Sequence, residues 1–140
     1  MLKKTITYTD FNGNERTEDF YFNLTKADVT KMEMSVNGGY SAMLRRVSNS
    51  QDAPVIRDTF ERFIIDSYGE KSPDGREFYK SEEITKKFMA TEAYSILFME
   101  LCTNSKAAAD FVKGVLPKDV AKDVATEISD EQKPALTSVQ

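Results

Sequence analysis

The side chains of this sequence that could carry chemistry are its carboxylates and one thiol, because the chain contains no histidine. A general acid-base pair needs two carboxyl groups held together in a cleft. No pattern around Asp19, Glu82 or Glu83 indicates such a cleft, so a solvated surface is the simpler interpretation. Without histidine, Ser-His-Asp and Cys-His catalysis are excluded, and a lone cysteine leaves almost no structural zinc site. We therefore predict no enzymatic activity, no catalytic residues, no cofactor and no metal site.

The sulfur-containing residues give weaker signals. Cys102 lies in the apolar run FMELC, where a small buried thiol is the usual finding. Met32, Met34, Met43, Met89 and Met99 fall in predicted helices. Flexible thioethers fill irregular cores, and they also line surfaces that accept varied apolar partners. The spacing of the methionines is compatible with both roles, core filling and a partner groove.

Charge and hydropathy argue against two classes of partner. The net charge is −4 and the isoelectric point is about 5.0, which disfavours general binding to phosphate backbones. The best basic pair, Arg45-Arg46, is explained as well by a solvated helix face as by a phosphate contact. The N-terminus lacks the apolar core of a signal peptide, and no run approaches the ~20 apolar residues that span a bilayer. We expect a cytoplasmic protein that binds neither nucleic acid nor membrane.

The first 24 residues have the alternation of a β-hairpin. Apolar residues occupy even positions on both sides of a turn, namely Leu2, Ile6, Tyr8, Phe20, Phe22 and Leu24. A two-residue loop, Asn12-Gly13, would put the two rows on opposite faces, whereas a three-residue loop, Phe11 to Gly13, aligns them. Asp10 and Gly13 also suit a type I turn followed by a glycine bulge. The sequence therefore predicts the three-residue loop.

Periodic apolar stripes after residue 24 predict a series of short helices. Residues suited to cap them are Thr25, Ser81 and Asn104, and near Thr91 a helix either continues or restarts. The stretch from Gly69 to Ser81 is rich in turn-forming residues and is predicted to be a connector. We predict an α+β fold with one globular domain over residues 1–117. In it, an N-terminal hairpin (1–24) precedes a bundle of about five short helices (25–117), and a weakly helical to disordered polar tail follows (118–140).

Three stretches of the chain together resemble a known family. They are ITYTDFNGNERTEDFYFNLTKAD (6–28), SYGEKSPDGREFYKS (67–81) and TEAYSILFMELCTNSKAAADFVKGVLP (91–117). They resemble the small tail assembly chaperones of long-tailed, siphovirus-type phages and of prophages of Gram-positive bacteria. The likeness covers most of the chain up to Pro117.

The resemblance implies a function that the residues alone do not specify. Such a chaperone would bind the tape measure protein, keep it soluble and recruit tail tube protein in the host cytoplasm, and it would be absent from the mature virion. Self-association along the tape measure protein is left open. Two rivals also remain: a structural tail completion or connector protein of the virion, and a small regulatory protein that binds nucleic acid.

The predicted partner-binding residues lie in the last apolar stripe and are Phe111, Val112, Val115 and Leu116. They adjoin the polar tail, where little sequence remains to cover them. In the family resembled, a frameshifted extension follows near this end. The alternative is that the stripe closes the core against Tyr94, Leu97 and Phe98.

Overall fold

The computed structural model describes residues 1–33 and 53–118. Its strands form one antiparallel sheet and are β1 (Leu2–Thr9), β2 (Glu15–Phe22), β3 (Tyr68–Lys71) and β4 (Phe78–Tyr79). The helices in these ranges are α1 (Lys26–Glu33), α2 (Ala53–Ser67), α3 (Glu82–Met89), α4 (Glu92–Thr103) and α5 (Ser105–Val115). The predicted α+β class is confirmed. Met34, Met43, Arg45-Arg46 and the tail beyond Lys118 lie outside the described residues.

The β1–β2 hairpin has the predicted loop and register. The Asp10 backbone N–H donates to the Asn14 carbonyl at 2.8 Å, and the Gly13 N–H donates to the Asp10 carbonyl at 2.9 Å. Gly13 takes a φ of +84°, a conformation that glycine adopts without a steric penalty. Even residues pair with even residues, as in Tyr8 with Arg16, so both apolar rows face the core. The three-residue loop, Phe11 to Gly13, is confirmed.

The sheet is larger than the hairpin, because two further strands lie where a connector was predicted. β3 pairs with β2 through Tyr21 with Gly69 and Phe22 with Tyr68. A Cβ atom at Gly69 would lie 2.6 Å from the Tyr79 carbonyl oxygen and 2.7 Å from Phe78 Cε2. Gly69 is therefore a point of close approach between β3 and β4, a role that composition alone does not distinguish from a helix stop.

Side-chain caps set the starts of four helices. Thr25 Oγ1 accepts from the Asp28 N–H at 3.1 Å, and the Asp28 carboxylate accepts in return from the Thr25 N–H at 2.9 Å. The same type of bond starts α3 at Ser81 (3.1 Å), α4 at Thr91 (3.3 Å) and α5 at Asn104 (3.0 Å). Each satisfies a backbone N–H that has no partner inside its own helix. Of the two options near Thr91, the helix restarts.

The helices cover one face of the sheet, and Phe22 lies at the centre of the contact. Its ring meets three others, at centroid distances of 5.5 Å (Tyr68), 5.8 Å (Phe88) and 5.1 Å (Phe111). The opposite face of the hairpin carries exposed polar side chains at Thr5, Thr7 and Thr9. This one-sided burial is typical of an antiparallel sheet with one solvated face.

Candidate partner-binding surfaces

The four residues predicted to bind a partner lie in the hydrophobic core. Phe111 is 2% exposed, and Val112, Val115 and Leu116 are also buried. The Phe111 ring lies 5.1 Å from Phe22 and 6.0 Å from Phe63, measured between centroids. This placement agrees with the alternative in which the stripe closes the core. Partner binding through these residues stays a prediction, and it would require α5 to leave the sheet.

The surroundings of α5 explain why its stripe faces inward. The Leu24 backbone N–H donates to the Val115 carbonyl at 3.0 Å, which ties the end of α5 to the chain just after β2. At Gly114, a Cβ atom would lie 2.8 Å from Leu2 Cδ1, so α5 runs close against the start of β1. The hydrogen bond and the close packing orient the apolar side of α5 toward the sheet.

Helix α4 has an exposed apolar side, the α4 flank, formed by Ile96 and Met99. Their exposed fractions are 42% and 54%. The other side of α4 is packed, because Tyr94 lies 5.7 Å from Phe88 and 5.9 Å from Phe98 between ring centroids. Met99, whose spacing is compatible with both a core and a partner groove, is exposed. Ile96 was missed, although its position outside the stripe of Tyr94, Leu97 and Phe98 was a usable signal.

One residue of the α4 flank, Ile96, points toward the outer side of β1. Glu100 Oε1 bonds to Lys4 Nζ at 2.8 Å, which fixes one side of α4 over β1. Ile96 precedes Glu100 by four residues and therefore lies on that same side, one turn earlier. The opposite side of α4 faces α3, whose Phe88 packs over β2 and β3. Ile96 thus faces away from β2.

Strand β1 ends the sheet and leaves one row of backbone groups without a strand partner. The strand order is β1-β2-β3-β4, so within the described part of the chain β1 has a neighbouring strand on one side. Hydrogen-bonded pairs alternate along an antiparallel ladder, and the Asp10–Asn14 pair is bonded. Even residues of β1 therefore bond to β2. The N–H and C=O groups of Lys3, Thr5, Thr7 and Thr9 point outward and form what we call the β1 edge.

The solvent-facing side of the hairpin is held by polar contacts between its two strands. Thr5 Oγ1 donates to Asp19 Oδ1 at 2.6 Å, and the hydroxyls of Thr7 and Thr17 lie 2.9 Å apart. At the turn, Arg16 Nε donates to Asp10 Oδ2 at 2.7 Å. This bond and those from the Asn14 and Asn12 N–H groups lower the pKa of Asp10. These contacts fix the shape of β1 without using its outward backbone groups.

Two tyrosines and the cysteine near the core stay in their neutral forms at neutral pH. Burial raises the pKa of Tyr68 and of Tyr94 to about 12, and nearby carboxylates act in the same direction. Burial also raises the pKa of the Cys102 thiol, which is half-buried rather than fully buried as expected. The neutral thiol is a poor nucleophile. Cys102 therefore has the surroundings of a packing residue.

Two searches of the described residues define what these surfaces lack. Over residues 1–33 and 53–118, no group of three or more acidic, cysteine or histidine residues is arranged to hold a metal ion. None of the helices in these ranges is long and apolar enough to cross a membrane. The apolar α4 flank and the β1 edge are suited to contact with polypeptide.

Comparison with known families decides the class of this protein. A family model described as phage tail assembly chaperone matches residues 1–140. The chain belongs to this family. No curated protein matches this chaperone, and no solved structure matches it. The family is generally non-enzymatic, its members have tail proteins as partners, and they act during assembly in the host.

Proposed function

We propose that this chaperone binds the tape measure protein, keeps it soluble and recruits tail tube subunits to it during tail morphogenesis. The observation that carries the proposal is the family match over residues 1–140. The proposed setting is the cytoplasm of a Gram-positive host that carries a siphovirus-type phage or prophage. In this scheme, the chaperone leaves the tail before the virion is complete.

The surface properties of the chain support a client of this kind. A long helical protein with apolar faces aggregates unless those faces are covered. The chaperone has exposed apolar side chains at Ile96 and Met99 on a body with a net charge of −4. Apolar contacts would cover the client, and the acidic exterior would keep the complex dispersed.

The α5 stripe remains a second proposed contact, restricted to an opened state. Phe111, Val112, Val115 and Leu116 become available to a client when α5 separates from β1 and β2. Opening would expose the rings now packed on Phe111, so it costs free energy that client contacts must offset. The α4 flank needs no such rearrangement.

Co-expression tests the client. The tape measure protein of the same phage is expressed alone, with the chaperone, and with an unrelated acidic protein of similar size. We expect it in the soluble fraction only with the chaperone, and in a complex that survives gel filtration. A tape measure protein that is equally soluble in all three cases, or that elutes apart from the chaperone, would contradict the proposal.

Purified virions separate the proposed chaperone from a structural tail protein. Quantitative mass spectrometry of virions should find tail tube protein in many copies and this chain below one copy per particle. A fixed number of copies of this chain in every virion would favour the tail completion or connector protein instead.

A further inference from the structure

We propose that the β1 edge binds an extended segment of a partner protein, which adds a fifth strand to the sheet and packs its apolar side chains on the α4 flank. This mode of binding does not depend on the client being the tape measure protein, because it is argued from β1 and α4 alone. The segment would run antiparallel to β1 and bond to the backbone of Lys3, Thr5, Thr7 and Thr9.

Within the described residues, the β1 edge lacks most of the features that usually protect a sheet edge, and its two lysines lie together at one end. Exposed edges are blocked by proline, by bulges, by short strands or by charges along their length. β1 is eight residues long and pairs with β2 in unbroken register, and Lys3 and Lys4 are its two charged residues. Three of the four outward positions are threonines, which favour strands and carry no charge. Such an edge is suited to strand addition.

The chemistry on the two faces of β1 specifies the side chains of the segment. On the helix-covered face, alternate side chains of an added strand would meet Ile96, so apolar residues fit there. On the open face, their neighbours would be the side chains of Thr5, Thr7 and Thr9, with Lys3 at one end. An antiparallel segment brings its C-terminal end to Lys3, where an acidic residue fits best. The expected ligand alternates apolar and small polar residues and ends in acid.

Helix spacing argues against a second copy of this chain as the occupant. Antiparallel pairing of two β1 strands would place them about 4.8 Å apart, with both α4 helices on the same face of the joined sheet. Because α4 packs on β1 itself, the two helices would lie nearer than the 8–10 Å that helix axes need. An extended segment without its own helix layer avoids this clash.

A synthetic peptide tests the β1 edge independently of any client. The probe is a twelve-residue peptide of alternating valine and threonine that ends in two aspartates, with the full-length chaperone as receptor. On binding, amide hydrogen exchange should slow at Lys3, Thr5, Thr7 and Thr9, and stay unchanged at the even residues of β1, which already bond to β2. Equal slowing at odd and even residues, or no slowing, would overturn the proposal.

Variants with matched controls separate the edge from the flank. Thr7→Pro removes an outward N–H without touching the β2 ladder, and Thr7→Val keeps it. We expect Thr7→Pro to weaken peptide binding about tenfold and Thr7→Val to leave it unchanged. Ile96→Lys should weaken it by a similar factor, with Ser95→Lys, on an exposed position of the same helix, as its control. Circular dichroism confirms that each variant is folded.

Three outcomes of these experiments would count against the edge. Peptide affinity that is the same for Thr7→Pro and Thr7→Val excludes strand addition. A change from dimer to monomer in Thr7→Pro, seen by light scattering, assigns the edge to self-association instead. The peptide could also fail to bind the wild-type protein while Thr7→Pro still co-purifies with tape measure protein at the wild-type level. That result would overturn the β1 edge proposal and leave the proposed client unaffected.

Discussion

At the scale of single residues, the most informative position is Phe111. It is predicted to bind a partner, with core closure as the alternative, and its ring meets Phe22 and Phe63 inside the core. A helical stripe of apolar residues marks a face that must be covered, but the stripe does not specify the covering protein. In this chain the cover is the sheet, because Leu24 and Leu2 hold the end of α5 against it.

The variant Phe111→Asp is expected to be unfolded or insoluble when expressed alone. Phenylalanine to alanine changes in a core cost about 3–5 kcal/mol, and a buried carboxylate adds a desolvation penalty to that. Lys113→Asp, at an exposed position of the same helix, is the control and should melt close to wild type. Circular dichroism and the thermal midpoint measure both. A folded Phe111→Asp variant that has lost its client would instead support partner binding through α5.

At the scale of elements, helix starts are determined locally. Thr25, Ser81, Thr91 and Asn104 cap α1, α3, α4 and α5 with side-chain oxygens. A cap forms with backbone N–H groups two or three residues ahead, so the information lies within one turn. Strand β3 differs, since its partner Tyr21 is far away in sequence and local composition around Gly69 indicates only a turn.

The cap of α5 gives a test at this scale. Asn104→Ala removes the acceptor of the Ala107 N–H and should lower the free energy of unfolding by about 1 kcal/mol. Ser105→Ala, one residue later and exposed, should change it by less than about 0.5 kcal/mol. Urea unfolding with equal m-values gives both numbers. Equal effects for the two variants would mean that the cap does not stabilise α5.

At the scale of the whole molecule, the sheet and helices share one aromatic core that includes two tyrosines with raised pKa values. Burial raises the pKa of Tyr68 and Tyr94 to about 12, from 10 in an unfolded chain. Because the pKa of both tyrosines is higher in the folded chain, their contribution to the free energy of unfolding is fully present below pH 10. It is lost as the pH rises from 10 toward 12, where the unfolded chain ionises first.

The alkaline limb of the stability curve should therefore depend on these two side chains. The double variant Tyr68→Phe with Tyr94→Phe is expected to lose less of its thermal midpoint between pH 9 and pH 12 than wild type. Tyr21→Phe, on the other face of β2, is the control and should follow wild type. Parallel curves for all three proteins would show that other groups determine alkaline unfolding.

The sequence by itself determined the features that depend on neighbours along the chain. The hairpin register followed from the even parity of Ile6, Tyr8 and Phe22 and from the turn residues Asp10 and Gly13. The starts of α1, α3 and α5 followed from the cap residues Thr25, Ser81 and Asn104, whereas the sequence leaves the restart at Thr91 open. The absence of histidine excluded whole classes of chemistry. The family resemblance rested on strings of residues, and the family is confirmed over 1–140.

The tertiary structure alone decided which surfaces are free. β3 and β4 join the sheet beside β2, so among the described strands β1 is left as its edge, a result that requires pairing between distant residues. The same packing buries Phe111 and exposes Ile96 and Met99, although all three lie in apolar helical segments. Apolar content sets how much surface must be buried, whereas the geometry of sheet and helices determines which side chains remain outside.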